Sequence, residues 1–235
     1  MDALSDLLEP YSDAIGKVAG TITTLQFLSG AALINDIRKK GCSDVYPVGP
    51  FLGGIVLCVL SIKLGMIMGD QTMLKVNVIG FAISSIYMVG FYYYASSENK
   101  TKLWSKIGYV TLFLLACIAY ANFEDPAQIE FRLGMLITSI LIWLVGSPLL
   151  AIPKIIEKKC TEGMPFPIIF AGQLVSTAWM LYAISIRNNV MVFQNLFLWI
   201  LGAVQLSMFA LYPNTPAPKS PAAKKAGKKD SKKDK

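Results

Sequence analysis

The chain has 235 residues, enough for one or two domains, but 54% are hydrophobic and only 16% charged, against about a quarter charged in soluble domains. Of the 22 Lys and Arg and 15 Asp and Glu, eight Lys and two Asp fall after Leu211, so the basic balance belongs to the tail and the near-neutral body excludes a basic nucleic-acid-binding fold. No His occurs, so Ser-His-Asp and Cys-His catalysis, His-ligated zinc and His-held haem have no ligand to start from, and neither an enzymatic role nor a cofactor is expected.

In chain order, uncharged stretches run Val18 to Ile34, Val45 to Ile62, Val76 to Ala95, Ile107 to Asn122, Leu133 to Pro153, Gly163 to Ile186 and Asn189 to Tyr212. A helix rises about 1.5 Å per residue and the hydrocarbon core is about 30 Å thick, so about 17 to 25 apolar residues cross it. The fourth stretch is short and needs flanking residues. Backbone polar groups in lipid must bond within their own segment, and no stretch alternates as a barrel strand would. The sequence thus predicts an all-α integral membrane protein with seven transmembrane helices and the lipid bilayer as its first partner. Homo-oligomers are compatible with such a bundle.

Cations set the orientation. Arg38 to Lys40, Lys100 to Lys106, Lys154 to Lys159 and the tail place 17 on one side, against five on the other: Lys17, Lys63, Lys75, Arg132 and Arg187. The positive-inside bias puts the first side in the cytosol and the N-terminus outside or in a lumen. Met1 to Glu9 is acidic and lacks the basic leader of a cleaved signal. Residues 213–235, rich in Pro, Ala and Lys, are expected to be a disordered cytosolic tail. Its end, Lys232-Lys233-Asp234-Lys235, matches a dilysine retrieval pattern, so plasma membrane or Golgi residence is expected with retrieval to the ER. Attraction of the same lysines to anionic lipid is the rival reading. Cys42 and Cys160 fall in cytosolic connections and Cys58 and Cys117 inside spans, which argues for thiols rather than disulfides.

At a constant shift of 118 residues, Ser29 to Asp44 aligns with Ser147 to Glu162 without a gap. Ile37 meets Ile155, Cys42 meets Cys160, Pro47 meets Pro165, Ser61 meets Trp179, Gly65 meets Ala183 and Asn77 meets Asn195. Three crossings carry a chain to the opposite side, so a second copy in the same orientation needs one extra crossing, which the fourth stretch supplies. The predicted organisation is two parallel three-helix repeats joined by an inversion helix. Residues 1–15 form a non-cytosolic segment, 16–95 the first repeat, 96–122 a cytosolic loop and linker helix, 123–212 an outer loop and the second repeat, and 213–235 the tail. Parallel repeats of this kind are a transporter arrangement with the substrate site near midplane between them.

Ser147-Pro148, Ile155, Lys158, Lys159, Glu162, the Met164-Pro165-Phe166 turn, Trp179, Tyr182 and Asn195 resemble the second repeat of a SWEET sugar transporter. Pro50-Phe51, Gly65, Gly69-Asp70, Asn77, Gly80 and Tyr87 resemble the first. The similarity covers Val18 to Tyr212 and fits the animal branch best. It implies a uniporter for mono- or disaccharides, with a pocket lined by one Asn from each repeat and, one layer away, by aromatic or small residues. It also implies hinge prolines near the cytosolic ends of four helices. The first of these is Gly30 here, the second is best matched by Pro50 with Pro47 as the repeat-derived rival, and Pro148 and Pro165 are kept. Gly bends a helix without removing a hydrogen bond as Pro does. Where the family carries Trp-Tyr-Gly, this chain reads Lys63-Leu64-Gly65, a cation where an aromatic is common, and Gly65 joins the gating set.

A sugar presents hydroxyls around an apolar C–H face. Asn offers one carbonyl acceptor and two N–H donors, and an indole covers the apolar face, so Asn77, Asn195, Trp179 and Ser61 are the candidate substrate contacts. The plainer alternative is that the Asn residues hold helices together and Trp179 anchors at the interface. Lys63 and Lys75 are expected to snorkel, with a gate contact to Asp70 as the rival. The seven stretches contain no Asp, Glu or His, which favours passive over proton-coupled transport. Two other classes remain: a proton-coupled carrier of the related PQ-loop group, which would want a buried carboxylate and a Pro-Gln pair per repeat, and a non-transporting receptor or adaptor working through the Lys tail. The orientation is checked at the sequon Asn99-Lys100-Thr101. In the cytosol it stays bare, so N-glycan removal leaves gel mobility unchanged; a shift abolished by Asn99→Gln would invert the topology.

Overall fold

The computed structural model describes residues 2–146, 152–161 and 166–212. Pro148, Pro165 and the basic tail with its dilysine pattern lie outside them. All regular structure among the described residues is helical: α1 (Asp2–Leu8), a 3-10 turn (Glu9–Tyr11), α2 (Ser12–Leu28), α3 (Gly30–Lys40), α4 (Gly49–Met68), α5 (Gln71–Tyr93), α6 (Ser97–Phe123), α7 (Pro126–Gly146), α8 (Ile152–Lys158), α9 (Phe166–Ser185) and α10 (Asn189–Leu211). With α1 to α3 taken as one rod, seven helical spans are long and apolar enough to cross a membrane. Outward-facing Ile86, Tyr109, Leu112 and Trp143 are 66% to 78% exposed, a surface that suits acyl chains rather than water.

The spans keep the order of the uncharged stretches but not their ends. The short fourth stretch is the core of α6, a helix of 27 residues that starts at Ser97, where the Ser96 hydroxyl caps the Asn99 N–H. The fifth stretch starts too late: α7 begins at Pro126 and so carries Glu130 and Arg132 within the helix. A helix can extend past the hydrocarbon into water, and the backbone ladder does not stop where charge begins. Arg132 is tied there to Glu124 at 2.5 Å, to the Tyr120 hydroxyl at 3.2 Å and to Gln128.

The 118-residue shift holds in the backbone at the helix ends. Gly41 and Lys159 both have left-handed backbones (φ 68° and 49°), as do Gly69 and Arg187 (φ 68° and 57°). The Asp70 N–H donates to the Gly65 carbonyl, and the Asn188 N–H donates to the Ala183 carbonyl, each at 2.9 Å. The Asp70 carboxylate then caps the start of α5 at Thr72 and Met73, and the Asn188 amide oxygen caps α10 at Met191. Left-handed backbone costs an L-residue about 1–2 kcal/mol, so a second copy keeps it at Lys159 and Arg187 only because the helix ends require it. The bundle is three helices, an inversion helix, and three helices again.

Helices approach closely where glycines leave room, as expected when lipid supplies no hydrophobic drive between them. A Cβ on Gly80 of α5 would stand 2.5 Å from the Phe27 ring and 2.9 Å from the Cys58 sulfur, so α5 is pressed between α2 and α4. Leu60, Leu64, Leu114, Leu133, Ile137 and Ala183 form a core shared by α4, α6, α7 and α9. At the end of the bundle that carries Arg38 to Lys40, called here the basic end, Asp44 accepts from the Ser96 N–H at 3.2 Å. A side-chain hydrogen bond from Asn99, helped by Ser96, holds the Asp44 carboxyl below its ordinary range.

The first span is interrupted at Ser29, beside Gly30. The Ser29 N–H turns to the Gln26 carbonyl and the Ala32 N–H to that of Ser29. The Tyr87 hydroxyl of α5 reaches the break and is shared between the Phe27 and Leu28 carbonyls, both at 3.2 Å. Its ring passes where a side chain on Gly30 would be, since a Cβ there would lie 2.6 Å from Tyr87 Cε2. Gly30→Pro is therefore expected to overpack this crossing and to cost about 1–3 kcal/mol of thermal stability in detergent. Tyr87→Ala in the same chain should recover part of that loss, and strict additivity of the two changes would refute the contact.

Candidate functional site

A cavity of about 720 Å³ opens between the two repeats, walled by α2, α4, α5, α7, α9 and α10. Such a volume falls within the range of small-molecule sites. Asn77, Asn195, Trp179 and Ser61 all line it. They come together because α5 and α10 start from equivalent caps, so the two Asn side chains stand about two helical turns beyond Asp70 and Asn188 and on the same face. Each spends one donor locally: Asn77 Nδ2 donates to the Met73 carbonyl at 2.9 Å, and Asn195 Nδ2 to that of Met191 at 2.8 Å. The second N–H and the amide oxygen of each remain for a ligand. Asn195 is 5% exposed, whereas Asn77 is half-buried.

Trp179 is fixed on two sides. Its indole N–H donates to Thr23 Oγ1 of α2 at 2.8 Å, and its ring meets Tyr182 edge-on at 5.6 Å. The indole is thus bonded from the second repeat to the first. Ser61, its counterpart by the repeat, lines the same cavity with a small side chain. Apolar Phe27, Leu57, Met73, Ile137, Val175 and Leu198 complete much of the lining.

Of the gating candidates, Gly30 lies at the observed helix break, and Pro50 occupies the first turn of α4, where its missing N–H costs nothing. Gly65 is buried, with Leu74 of α5 3.2 Å from where its Cβ would stand. Pro148 and Pro165 fall outside the described residues. Lys63 does not meet Asp70: its ammonium donates to Asn122 Oδ1 of α6 at 2.5 Å, while Asp70 accepts from the Tyr182 hydroxyl at 2.9 Å. Lys63 points around the bundle because its position on α4 faces α6, which the spacing along one helix does not reveal.

The expectation that no carboxylate reaches the spans is corrected by α7. Glu130 lines both the main cavity and a smaller one of about 360 Å³ at the N-terminal end, and it accepts from Asn188 Nδ2 at 3.2 Å. Further polar lining residues escaped the sequence reading: Thr23, Gln26, Gln173, Gln194 and Gln205. Their signal was present, since an amide inside an apolar span is itself a reason to look inward. Gln194 is held by the Thr138 hydroxyl of α7 at 3.0 Å.

Two parallel three-helix repeats around a cavity, with Asn77 and Asn195 at equivalent places on its wall, define a membrane transporter of the repeat class rather than an enzyme. The family described as sugar efflux transporters for intercellular exchange matches residues 13–99 and 131–217, two segments separated by the same 118-residue shift. The chain belongs to that family, the SWEET (MtN3/saliva) transporters. Sugar transporter SWEET1 of Drosophila pseudoobscura pseudoobscura is 30% identical over 205 residues, 86% of this chain and 89% of the relative. Bidirectional sugar transporter SWEET4 of Arabidopsis thaliana is 26% identical over 207 residues, covering 86% and 82%. A eukaryotic SWEET transporter structure superposes with a TM-score of 0.77 at 24% identity, over 87% of this chain and all of that one, which is a likeness of fold.

The cross-repeat bond gives a direct test. Thr23→Val leaves the Trp179 N–H without its partner and should cost about 1 kcal/mol of thermal stability. In a Trp179→Phe background the same change should cost less, and equal costs in both backgrounds would show that the bond contributes nothing.

Proposed function

We propose that the protein is a sugar uniporter, carrying mono- or disaccharides passively and in both directions by alternating access. The observation that carries this reading is the pair Asn77 and Asn195: repeat-equivalent amides, each bonded once to its own helix and each with capacity left over, on the wall of a largely apolar cavity. Millimolar binding corresponds to about 4 kcal/mol, and net hydrogen bonds contribute about 0.5–1.5 kcal/mol each, so a few such contacts suffice for a carrier that must also release. Trp179 stacks on the C–H face and Ser61 sets the room available. Gly30, Pro50, Pro148 and Pro165 serve as hinges, with Gly65 allowing α4 and α5 to move in close contact. Family membership and the names of the relatives support a sugar as the cargo.

The basic end faces the cytosol in this reading and the N-terminus lies outside or in a lumen, in the plasma membrane, the Golgi or both. Tyr182 to Asp70 and Asn188 to Glu130 then belong to the outer end. Glu130 gives the proton-coupled alternative its one support, a carboxylate on the cavity wall. The two readings part in proteoliposomes. A uniporter equilibrates sugar, and an imposed proton gradient drives no accumulation; accumulation that Glu130→Gln abolishes would establish coupling instead. Absence of flux for a panel of radiolabelled mono- and disaccharides would leave the receptor reading.

Asn77→Ala, Asn195→Ala and Trp179→Ala are each expected to cut flux several-fold or abolish it in folded protein. Because both Asn residues face one pocket, the double Asn variant should lose less binding than the sum of the singles. Ser61→Trp should narrow the substrate range before it stops transport, and Pro148→Ala should slow flux with less effect on equilibrium binding. Parent-like flux in both Asn variants would refute the assigned site.

A further inference from the structure

The cavity continues past the Asn pair toward the basic end, and there its wall carries a second set of amides. At about 1.5 Å per residue, Gln173 stands about 9 Å along α9 from Trp179, and Gln205 about 15 Å along α10 from Asn195. Gln26 of α2 joins them across the repeat boundary, its Nε2 3.9 Å from where a Cβ on Gly172 of α9 would stand. All three glutamines line the cavity.

Their bonding is unusual for buried amides. Gln205 is 4% exposed, and its Nε2 has no hydrogen-bond partner; Gln173 Oε1 is likewise buried and without one. A buried donor and a buried acceptor left without partners are costly in a low-dielectric interior unless something fills them. Room for the Gln173 carboxamide is itself provided for, because Gly202 of α10 has no side chain where the Gln173 oxygen lies. The two unmatched groups, one N–H donor and one carbonyl acceptor, are of the two kinds that sugar hydroxyls match. Charged cargo fits poorly, since Glu130, at the opposite end, is the only charged residue lining the cavity among the described residues.

We propose that Gln173 and Gln205, with Gln26, form a second sugar-hydroxyl station on the cytosolic side of the Asn pair, occupied by a sugar ring as it enters from or leaves toward the cytosol. The offset from Trp179 and Asn195 is longer than one pyranose ring, so the two stations are successive rather than one. This inference rests on the uniporter reading and deepens it. A stepped path lowers the cost of moving a hydroxyl-rich solute between the Asn pair and water, because its hydroxyls are never all without partners.

The test uses cells expressing the full chain and radiolabelled glucose, fructose and sucrose, with initial rates measured for entry and for efflux from preloaded cells. Gln173→Met and Gln205→Met should each raise the cytosolic-side half-saturation about fivefold, the worth of one net hydrogen bond, and leave that for entry unchanged. Detailed balance in a passive carrier then requires the maximal efflux rate to rise against the maximal entry rate by the same factor. Because an apolar side chain removes an open buried amide, the thermal midpoint should hold or rise. Gly202→Ala, which displaces the Gln173 carboxamide without deleting it, should shift the same half-saturation in the same direction and guards against a Met variant that fails to fold. Loss of stability with entry and efflux falling together, and no change in cytosolic half-saturation, would mean that the glutamines only hold helices and would overturn the station. If Asn77→Ala impairs flux while the glutamine variants and Gly202→Ala behave as the parent, the station is wrong and the uniporter reading stands. If the parent carries none of the three sugars, both fall.

Discussion

Where α5 and α10 begin decides where everything at the cavity sits. Each helix is preceded by a left-handed residue and a capping side chain, Gly69 with Asp70 and Arg187 with Asn188, and each cap satisfies N–H groups that would otherwise face a nearly dry environment. Once the caps are fixed, helical periodicity fixes the direction of Asn77 and Asn195. A slip of one residue in either cap would rotate an amide by about 100° and take it off the cavity wall. The i to i−4 bond from each Asn to its own backbone then locks the side chain, so its orientation at the cavity wall is set by its own helix.

The two copies share a scaffold but not its chemistry, and the differences are concentrated at the N-terminal end. Asp70 caps one helix and accepts from Tyr182 of the other repeat, whereas Asn188 caps the other and donates to Glu130. An acid in the first copy and an amide in the second give each cap a partner of the opposite hydrogen-bonding sense, across the repeat boundary for Asp70 and within the second repeat for Asn188. Ser61 against Trp179 is a second such division, small in one copy and broad in the other.

Sequence made the repeat, the seven spans and the Asn pair visible because each leaves a mark along the chain: a constant shift, runs free of charge, and amides where hydrocarbon is expected. Helix ends were less visible, since charge marks the water boundary while capping marks the end of the helix, and in α6 and α7 the two differ by several residues. That difference hid Glu130. Thr23 was missed because its role is to accept from Trp179 across the repeat boundary, and a pairing between distant residues has no signature along either helix. Lys63 and Asn122 are a pair of the same kind. Gln173 and Gln205 differ: they were legible as buried amides, and only their unmatched atoms, which need coordinates, separate them from helix-bridging ones.

Replacing a hinge proline by Gly30 need not stiffen the first span, because the break comes from unmade backbone bonds rather than from any one ring. Proline leaves a carbonyl open by lacking an N–H, and something must then bond that carbonyl. At Ser29 the displaced carbonyls of Phe27 and Leu28 are met by the Tyr87 hydroxyl, and a residue without a side chain at position 30 is what lets the Tyr87 ring come close enough to do it. Both bonds are long, at 3.2 Å, and a phenol exchanging between two acceptors resists small rotations of the helix halves less than one short bond would. A span divided in this way has two open carbonyls served in turn by one phenol rather than by its own backbone, so the halves on either side of Ser29 are not tied to each other through them.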